Sequence, residues 1–316
     1  MNKDNLWLKS FLLLTAISIL FSLKNLFISA KSHTTSTANN LMGDKALLIK
    51  VDGAIHSGPS TYQSTGAETI LALLKKASDR SDIKGVLLEI NSPGGTVGAS
   101  QEVYTEIMKL RKKKKVVVAM KDLAASGGYY IAAAADYIFT QPGTITGSIG
   151  VIMTSPNIKG LLDKYSVGMR VYKAGKYKDI LSMYRNVTPQ ESLFLKELLD
   201  DTYQQFLKDV AAGRKLPIEK VNGFAEGRIF SGTRAVQNKM VDAIGGRREA
   251  LRKLSDLCET KETLQLLQDE ATPFDKFLKL MEMKLDTLAV GGLKIPQNSA
   301  PIMAILPASL PLGLGL

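Results

Sequence analysis

The chain has 316 residues, 45% hydrophobic and 22% charged, which allows one large core with a smaller appendage and excludes a disordered chain. Its formal net charge is +11, its single cysteine (Cys258) excludes an internal disulfide, and its two histidines (His33 and His56) exclude a histidine-rich metal site.

The N-terminus reads as a membrane segment. Residues 10–23 carry no charge; Lys3 and Lys9 precede them, and Lys24 follows. That run is short for a spanning helix of about 20 residues, but counting from Leu6 or Trp7 with Lys9 and Lys24 snorkelling brings it close. A cleaved signal peptide ending at Ile28-Ser29-Ala30 is the rival reading. Either way the rest of the chain is expected outside the cytoplasm. Residues 31–44 form a polar linker.

From Lys45 the pattern turns globular. Residues 46–53 read as a strand ending at a glycine, 67–78 as a helix, and 83–90 as a buried strand closed by the turn Asn91-Ser92-Pro93-Gly94-Gly95. The next helix presents Val103, Ile107 and Leu110, and Arg111–Lys115 is a basic run before the strand at 116–120. That run reads as a solvated turn, with attraction to anionic lipid as a further possibility. No nucleic-acid recognition module accompanies it, and none is expected to be bound. A small-residue helix follows Ser126-Gly127-Gly128, and 137–140 is a strand. This alternation predicts an α/β architecture.

Pro189 opens a long helix to about 213 with Leu195, Leu199, Phe206 and Val210 as its stripe. A last helical region is expected over about 247–290, with Cys258 as a buried, inert thiol inside it. Residues 295–316 are uncharged and contain four prolines, which argue against a second spanning helix. The domain reading is an anchor (1–30), the linker (31–44), a catalytic core (45–250), a C-terminal helical region (251–294) and a proline-rich tail (295–316).

Two glycine-rich turns follow buried strands, and the second sets Ser126 immediately before a helix. Unpaired N–H groups at a helix start hold developing negative charge, so Ser126 is a candidate nucleophile. The Gly127 N–H would help hold the oxyanion, with a second donor from Gly94 or Gly95. The competing reading is a helix N-cap between two ordinary turns. Neither turn has the spacing of a nucleotide-binding loop. A Ser-His-Asp triad would have to use His33, in the linker, or His56, so another base is expected. A lysine kept neutral by burial serves that role. Lys173, Lys176 and Lys178 are the candidates, and local sequence does not choose among them.

The order and spacing of five stretches carry a resemblance. They are NSPGG at 91–95, SGGYYIA at 126–132, TGSIGV at 146–151, KAGKYKDI at 173–180 and the segment 224–246. Over about residues 45–250 the chain resembles the short, single-module form of the signal peptide peptidase A family, of the Clp protease/crotonase superfamily. The resemblance implies repeated strand-strand-helix units wound as a superhelix. It implies Ser126 as nucleophile, Lys178 as general base, Gly94 and Gly127 as oxyanion donors, and Ser148 as the group orienting the lysine amine. It implies no cofactor and no metal. It further implies an endopeptidase acting on hydrophobic peptides such as cleaved signal peptides, working as a homo-oligomeric ring whose neighbouring subunits complete the groove. The family's proline after the base lysine is missing from Ser182-Met183-Tyr184-Arg185. Two rivals share the fold: a crotonase-type enzyme acting on acyl-CoA, which would need neither Ser126 nor Lys178, and a non-enzymatic membrane scaffold.

Overall fold

The computed structural model describes residues 43–61, 63–268 and 303–305. The chain divides into two units, Met1–Asp44 and Lys45–Leu316. The expected anchor and nearly all of the linker lie outside the described residues. Among the described residues no helix is long and apolar enough to cross a membrane.

In chain order the elements are β1 (Lys45–Asp52), β2 (Ala54–His56), β3 (Ser64–Gly66), α1 (Ala67–Asp79), β4 (Ile83–Ser92), β5 (Gly94–Thr96), α2 (Val97–Leu110), β6 (Lys115–Ala125) and α3 (Gly127–Ala133). There follow β7 (Tyr137–Thr140), β8 (Ile145–Gly147), α4 (Lys159–Lys164), α5 (Pro189–Arg214), α6 (Ile218–Phe224), β9 (Ile229–Ser231), α7 (Gly232–Gln237), β10 (Ala243–Ile244), α8 (Arg247–Leu257), β11 (Gln265–Gln268) and β12 (Met303–Ile305). This is the expected α/β class.

The main sheet runs β10-β7-β6-β4-β1-β11, with every neighbouring pair parallel. Parallel strands covered on both faces read as continuous apolar runs, which is why residues 83–90 and 116–120 stand out in the sequence. Val86, Leu88 and Ile90 of β4 join the core of α1, α2 and α3, while Leu87 faces the α8 side with Ala250 and Leu254. The eleven-residue β6 pairs with β7 through Val117–Ala119 and with β8 through Leu123–Ala125, so it passes from one neighbour to the next and projects its end beyond β7. A second, small sheet has the order β12-β5-β2-β3.

Two expectations change, and part of the tail is placed. The helix begun at Arg247 stops at Leu257, and Gln265–Gln268 is a strand beside β1 rather than a continued helix. The exposed backbone edge of β1 takes a parallel partner there, a non-local gain that helical periodicity does not register. Cys258, at the end of α8, is half-buried rather than buried. Within the tail, the described residues Met303–Ile305 form β12, antiparallel to β5.

The segment between β8 and α5 is unlike the rest. No residue from 151 to 190 is buried, and α4 buries none of its side chains. We refer to residues 151–188 as the arm.

Candidate active site

Ser126 lies at the strand-to-helix junction between β6 and α3. Its backbone is strained, with φ 54° and ψ −118°, a region that non-glycine residues rarely enter. Such strain costs about 1–3 kcal/mol and is held by surrounding structure. Here the Ser126 N–H donates to Gly147 O at 2.8 Å, and Ser126 O accepts from the Tyr130 N–H at 2.8 Å. The residue is 1% exposed, and its Oγ is one of three buried side-chain polar atoms with no hydrogen-bond partner among the described residues. Buried hydroxyls are normally satisfied, so an unpartnered one at a strained junction marks a group waiting for a partner. Ser126 occupies the N-cap position of α3, as the competing reading has it, but its side chain makes no cap hydrogen bond there.

The two glycine-rich turns meet. A Cβ on Gly127 would stand 2.4 Å from Ser100 Oγ, 3.1 Å from Gly95 N and 3.3 Å from Gly94 Cα. Only a residue without a side chain lets the start of α3 approach β5 this closely. Gly127 opens α3, where the first N–H groups have no acceptor within the helix. Gly94, at φ 104°, gives its N–H to Ser92 Oγ at 3.1 Å, and Ser92 Oγ in turn donates to Gly53 O at 2.6 Å.

Ser148 stands beside Ser126. Ala125 pairs with Gly147 in the β6–β8 register, so both serines follow paired residues by one position. Ser148 repeats the positive φ, at 52°, and its N–H donates to Arg228 O at 2.7 Å. It is 6% exposed and lies in the wall of a groove of about 630 Å³. Ile152, Leu195 and Leu199 also line that groove, so the outer part of the predicted α5 stripe faces a cleft while Phe206 and Val210 are in the core.

Lys178 is placed differently. It is exposed on the arm, and its amine has no hydrogen bond or ion pair among the described residues. No hydrogen bond joins it to Ser126. His56 does not substitute, since its ring nitrogens face Ser57 O and Ser64 Oγ; His33 lies outside the described residues. The chain therefore brings Ser126, Ser148, Gly94 and Gly127 together and leaves Lys178 apart.

Sequence reading passes over the ionic cluster around Lys178. Arg185 bridges Asp179 and Glu191, and Glu191 also closes a capping box with Thr188 at the start of α5. The signal is there: Thr188-Pro189-Gln190-Glu191 has the S/T-x-x-E spacing of a capping box. It also passes over the buried Glu89, held by Arg247 from the start of α8 through two hydrogen bonds of 2.5 Å. Burial pushes the Glu89 carboxyl up, and the Arg247 guanidinium together with Lys121 and Lys50 offsets this, leaving it below the usual carboxylate range.

Comparison with known proteins places the chain in a family. Residues 108–261 match the family described as Peptidase family S49, and residues 49–143 match Clp protease. A Synechocystis sp. protein named "Putative protease" is 41% identical over 248 residues, 78% of this chain and 86% of the relative. "Putative signal peptide peptidase SppA" of Enterococcus faecium is 36% identical over 241 residues, 74% of this chain and 70% of the relative. "Serine protease SPPA, chloroplastic" of Arabidopsis thaliana is 32% identical over 213 residues, 66% of this chain and 32% of the relative. With a strained serine at the meeting of two glycine turns on a Clp protease-like sheet, this chain belongs to the signal peptide peptidase A family of serine peptidases, Peptidase family S49.

Proposed function

We propose that this chain is a serine endopeptidase that cleaves hydrophobic peptides, spent signal peptides among them, with a Ser126–Lys178 dyad closed between copies of the chain. The observation that carries the chemistry is the buried, unpartnered Oγ of Ser126, one strand from Ser148 and against the glycine turns. In the reaction the neutral Lys178 amine takes the Ser126 proton as Oγ attacks the peptide carbonyl carbon. The Gly127 N–H and the Gly94 N–H, the latter released from Ser92 Oγ, hold the oxyanion. The Lys178 ammonium then gives its proton to the leaving amine, and water resolves the acyl-enzyme. Ser148 accepts or donates to the lysine amine and fixes its direction.

Two features support a peptide as substrate and a second copy as partner. The β5 edge already takes an extended segment, since Ile305, Ala304 and Met303 pair with Gly94, Gly95 and Thr96. A strand of substrate taking the place of β12 there would lie beside the nucleophile, which is strand addition to a sheet edge. The partner is argued from the distribution of apolar surface. Of the sixteen exposed large hydrophobic residues among those described, thirteen fall between 151 and 198, on the arm and the start of α5. Apolar surface of that extent marks an interaction face. The face carries the base that the site lacks, so a second copy covering it completes the dyad. The N-terminal apolar segment holds this assembly to a membrane, with the catalytic unit on the extracytoplasmic side.

The test is hydrolysis of a fluorogenic apolar peptide together with covalent labelling by a serine-directed phosphonate. Ser126→Ala is expected to lose both and Lys178→Ala to lose hydrolysis. The wild-type rate is expected to rise with pH until the base is neutral. Full hydrolysis by either variant would sink the dyad.

A further inference from the structure

The arm holds three lysines within six residues, Lys173, Lys176 and Lys178, and two of them are occupied. Lys173 Nζ pairs with Asp179 Oδ1 and donates to Lys176 O at 3.0 Å. Lys176 Nζ donates to Gln190 Oε1 of α5 and lies 5.4 Å from the centre of the Tyr177 ring. Tyr177 stacks on Phe194 of α5 at 5.5 Å, which seats this turn on the helix. Only the Lys178 amine of the three has no partner among the described residues.

The carboxylate beside it is what makes this unusual. Asp179 follows Lys178 directly, and a free carboxylate within about 4–6 Å of an amine favours the ammonium form, the wrong state for a general base. Here Asp179 is fully engaged. Arg185 Nε donates to Oδ2 at 2.9 Å and Nη2 to Oδ1 at 2.8 Å, and Nη2 also reaches the Asp179 carbonyl at 3.0 Å. The same guanidinium binds Glu191 through Nη1 at 2.9 Å and Nη2 at 2.6 Å. Glu191 is 4% exposed and anchored by the Thr188 N–H at 2.9 Å, so the clamp is fixed to α5. The charged groups around the turn are thus Lys173, Lys176, Asp179 and Arg185 on the arm and Glu191 from α5.

We infer that Arg185 is a positioning residue that sequesters the Asp179 carboxylate, leaving the Lys178 amine unpaired and able to serve Ser126 as a neutral base. Consistent with this, the hydrogen bonds from Arg185 and then Lys173 hold the Asp179 carboxyl far below the usual carboxylate range. The clamp also explains why a loop with so many cations keeps an acid at this position. The inference rests on Lys178 being the base, and the experiment separates the two.

The measurement is the pH dependence of kcat/KM on an apolar peptide for full-length wild type, Lys178→Ala, Arg185→Ala, Arg185→Gln and Arg185→Ala/Asp179→Asn. Removing the guanidinium in Arg185→Ala leaves Asp179 with Lys173 as its remaining cation, and is expected to move the rising limb up by about one pH unit, the low end of the effect of an adjacent opposite charge. Removing that charge in the double variant is expected to return the limb to the wild-type position. Arg185→Gln keeps amide donors for the turn but no charge, and is expected to show the upward shift if Arg185→Ala does not fold. An unmoved limb in whichever single variant folds overturns the sequestering role. So does a shifted limb that Asp179→Asn fails to restore, since a purely structural clamp would behave that way. A Lys178→Ala variant with wild-type activity overturns the dyad itself. An inactive Lys178→Ala beside a wild-type profile in the Arg185 variants overturns only the clamp.

Discussion

Residues 83–150 and residues 151–198 are built on opposite terms. The first stretch is mostly buried and holds Ser126, the proposed nucleophile, in a strained backbone that its neighbours enforce. The second has Glu191 as its one buried residue, exposes thirteen large hydrophobic side chains and carries the proposed base. Rigid placement comes from packing, and packing is available to Ser126 within one chain but not to Lys178. On the proposed dyad, half of the chemistry is finished by folding and half waits for association.

The largest effects should break the contrast at its two poles. Lys178→Ala is expected to lower hydrolysis by about 10²- to 10⁴-fold, the usual contribution of general acid–base catalysis. Its melting temperature should stay at the wild-type value, because the amine makes no bond to lose. A fall in melting temperature would mean that the arm is folded onto the core through that lysine. Next, Tyr172→Asp combined with Leu193→Asp places charge in the exposed apolar face. Weakening of self-association by about tenfold or more is expected on analytical ultracentrifugation, with activity falling in step. Unchanged association would show that this face meets something other than a second copy.

Mixing sharpens the same point. If the dyad closes between copies, inactive Ser126→Ala and Lys178→Ala chains co-assembled in equal amounts should regain about a quarter of wild-type activity, since heterologous contacts pair neighbours at random. No recovery after confirmed co-assembly would place both residues of a working dyad in one chain.

Smaller effects test the buried side. Gly127→Ala forces a Cβ against Ser100 Oγ and is expected to destabilise the fold by about 1–3 kcal/mol, as overpacking does. Smallest is an acid effect on the arm. The Arg185 guanidinium and the Thr188 backbone hold the Glu191 carboxyl down at about 2, against an ordinary 4.5. A carboxyl depressed on folding contributes stability that is complete above its unfolded value and is lost as pH falls through its folded one. Thermal melts should therefore show a decline between pH 4.5 and about 2 that Glu191→Gln reduces. Equal slopes for the two proteins would remove Glu191 from that account.

Much of this protein is legible in its sequence. The alternation of strands and helices, the long helix from Pro189 and the two glycine turns follow from hydrophobic period and from glycine itself, both local properties of the chain. Ser126 as a residue at a strand–helix junction belongs with them, as does the exclusion of histidine-rich chemistry by count. The strand at Gln265–Gln268 is not legible in this way, because its reason is the unpaired edge of β1, more than two hundred residues earlier. The Arg247–Glu89 pair is hidden for the same cause, as its partners lie 158 positions apart.

What only the tertiary structure decided is which local features face one another. It set Gly127 against Gly94, aligned Ser126 with Ser148 through the β6–β8 register, and laid β12 along β5. It also left the Lys178 amine unpaired on an exposed arm while Arg185 holds the acid beside it. Register and burial are set by contacts between distant residues, so a pattern read along the chain can name the participants. Their meeting is decided by the packing of the whole.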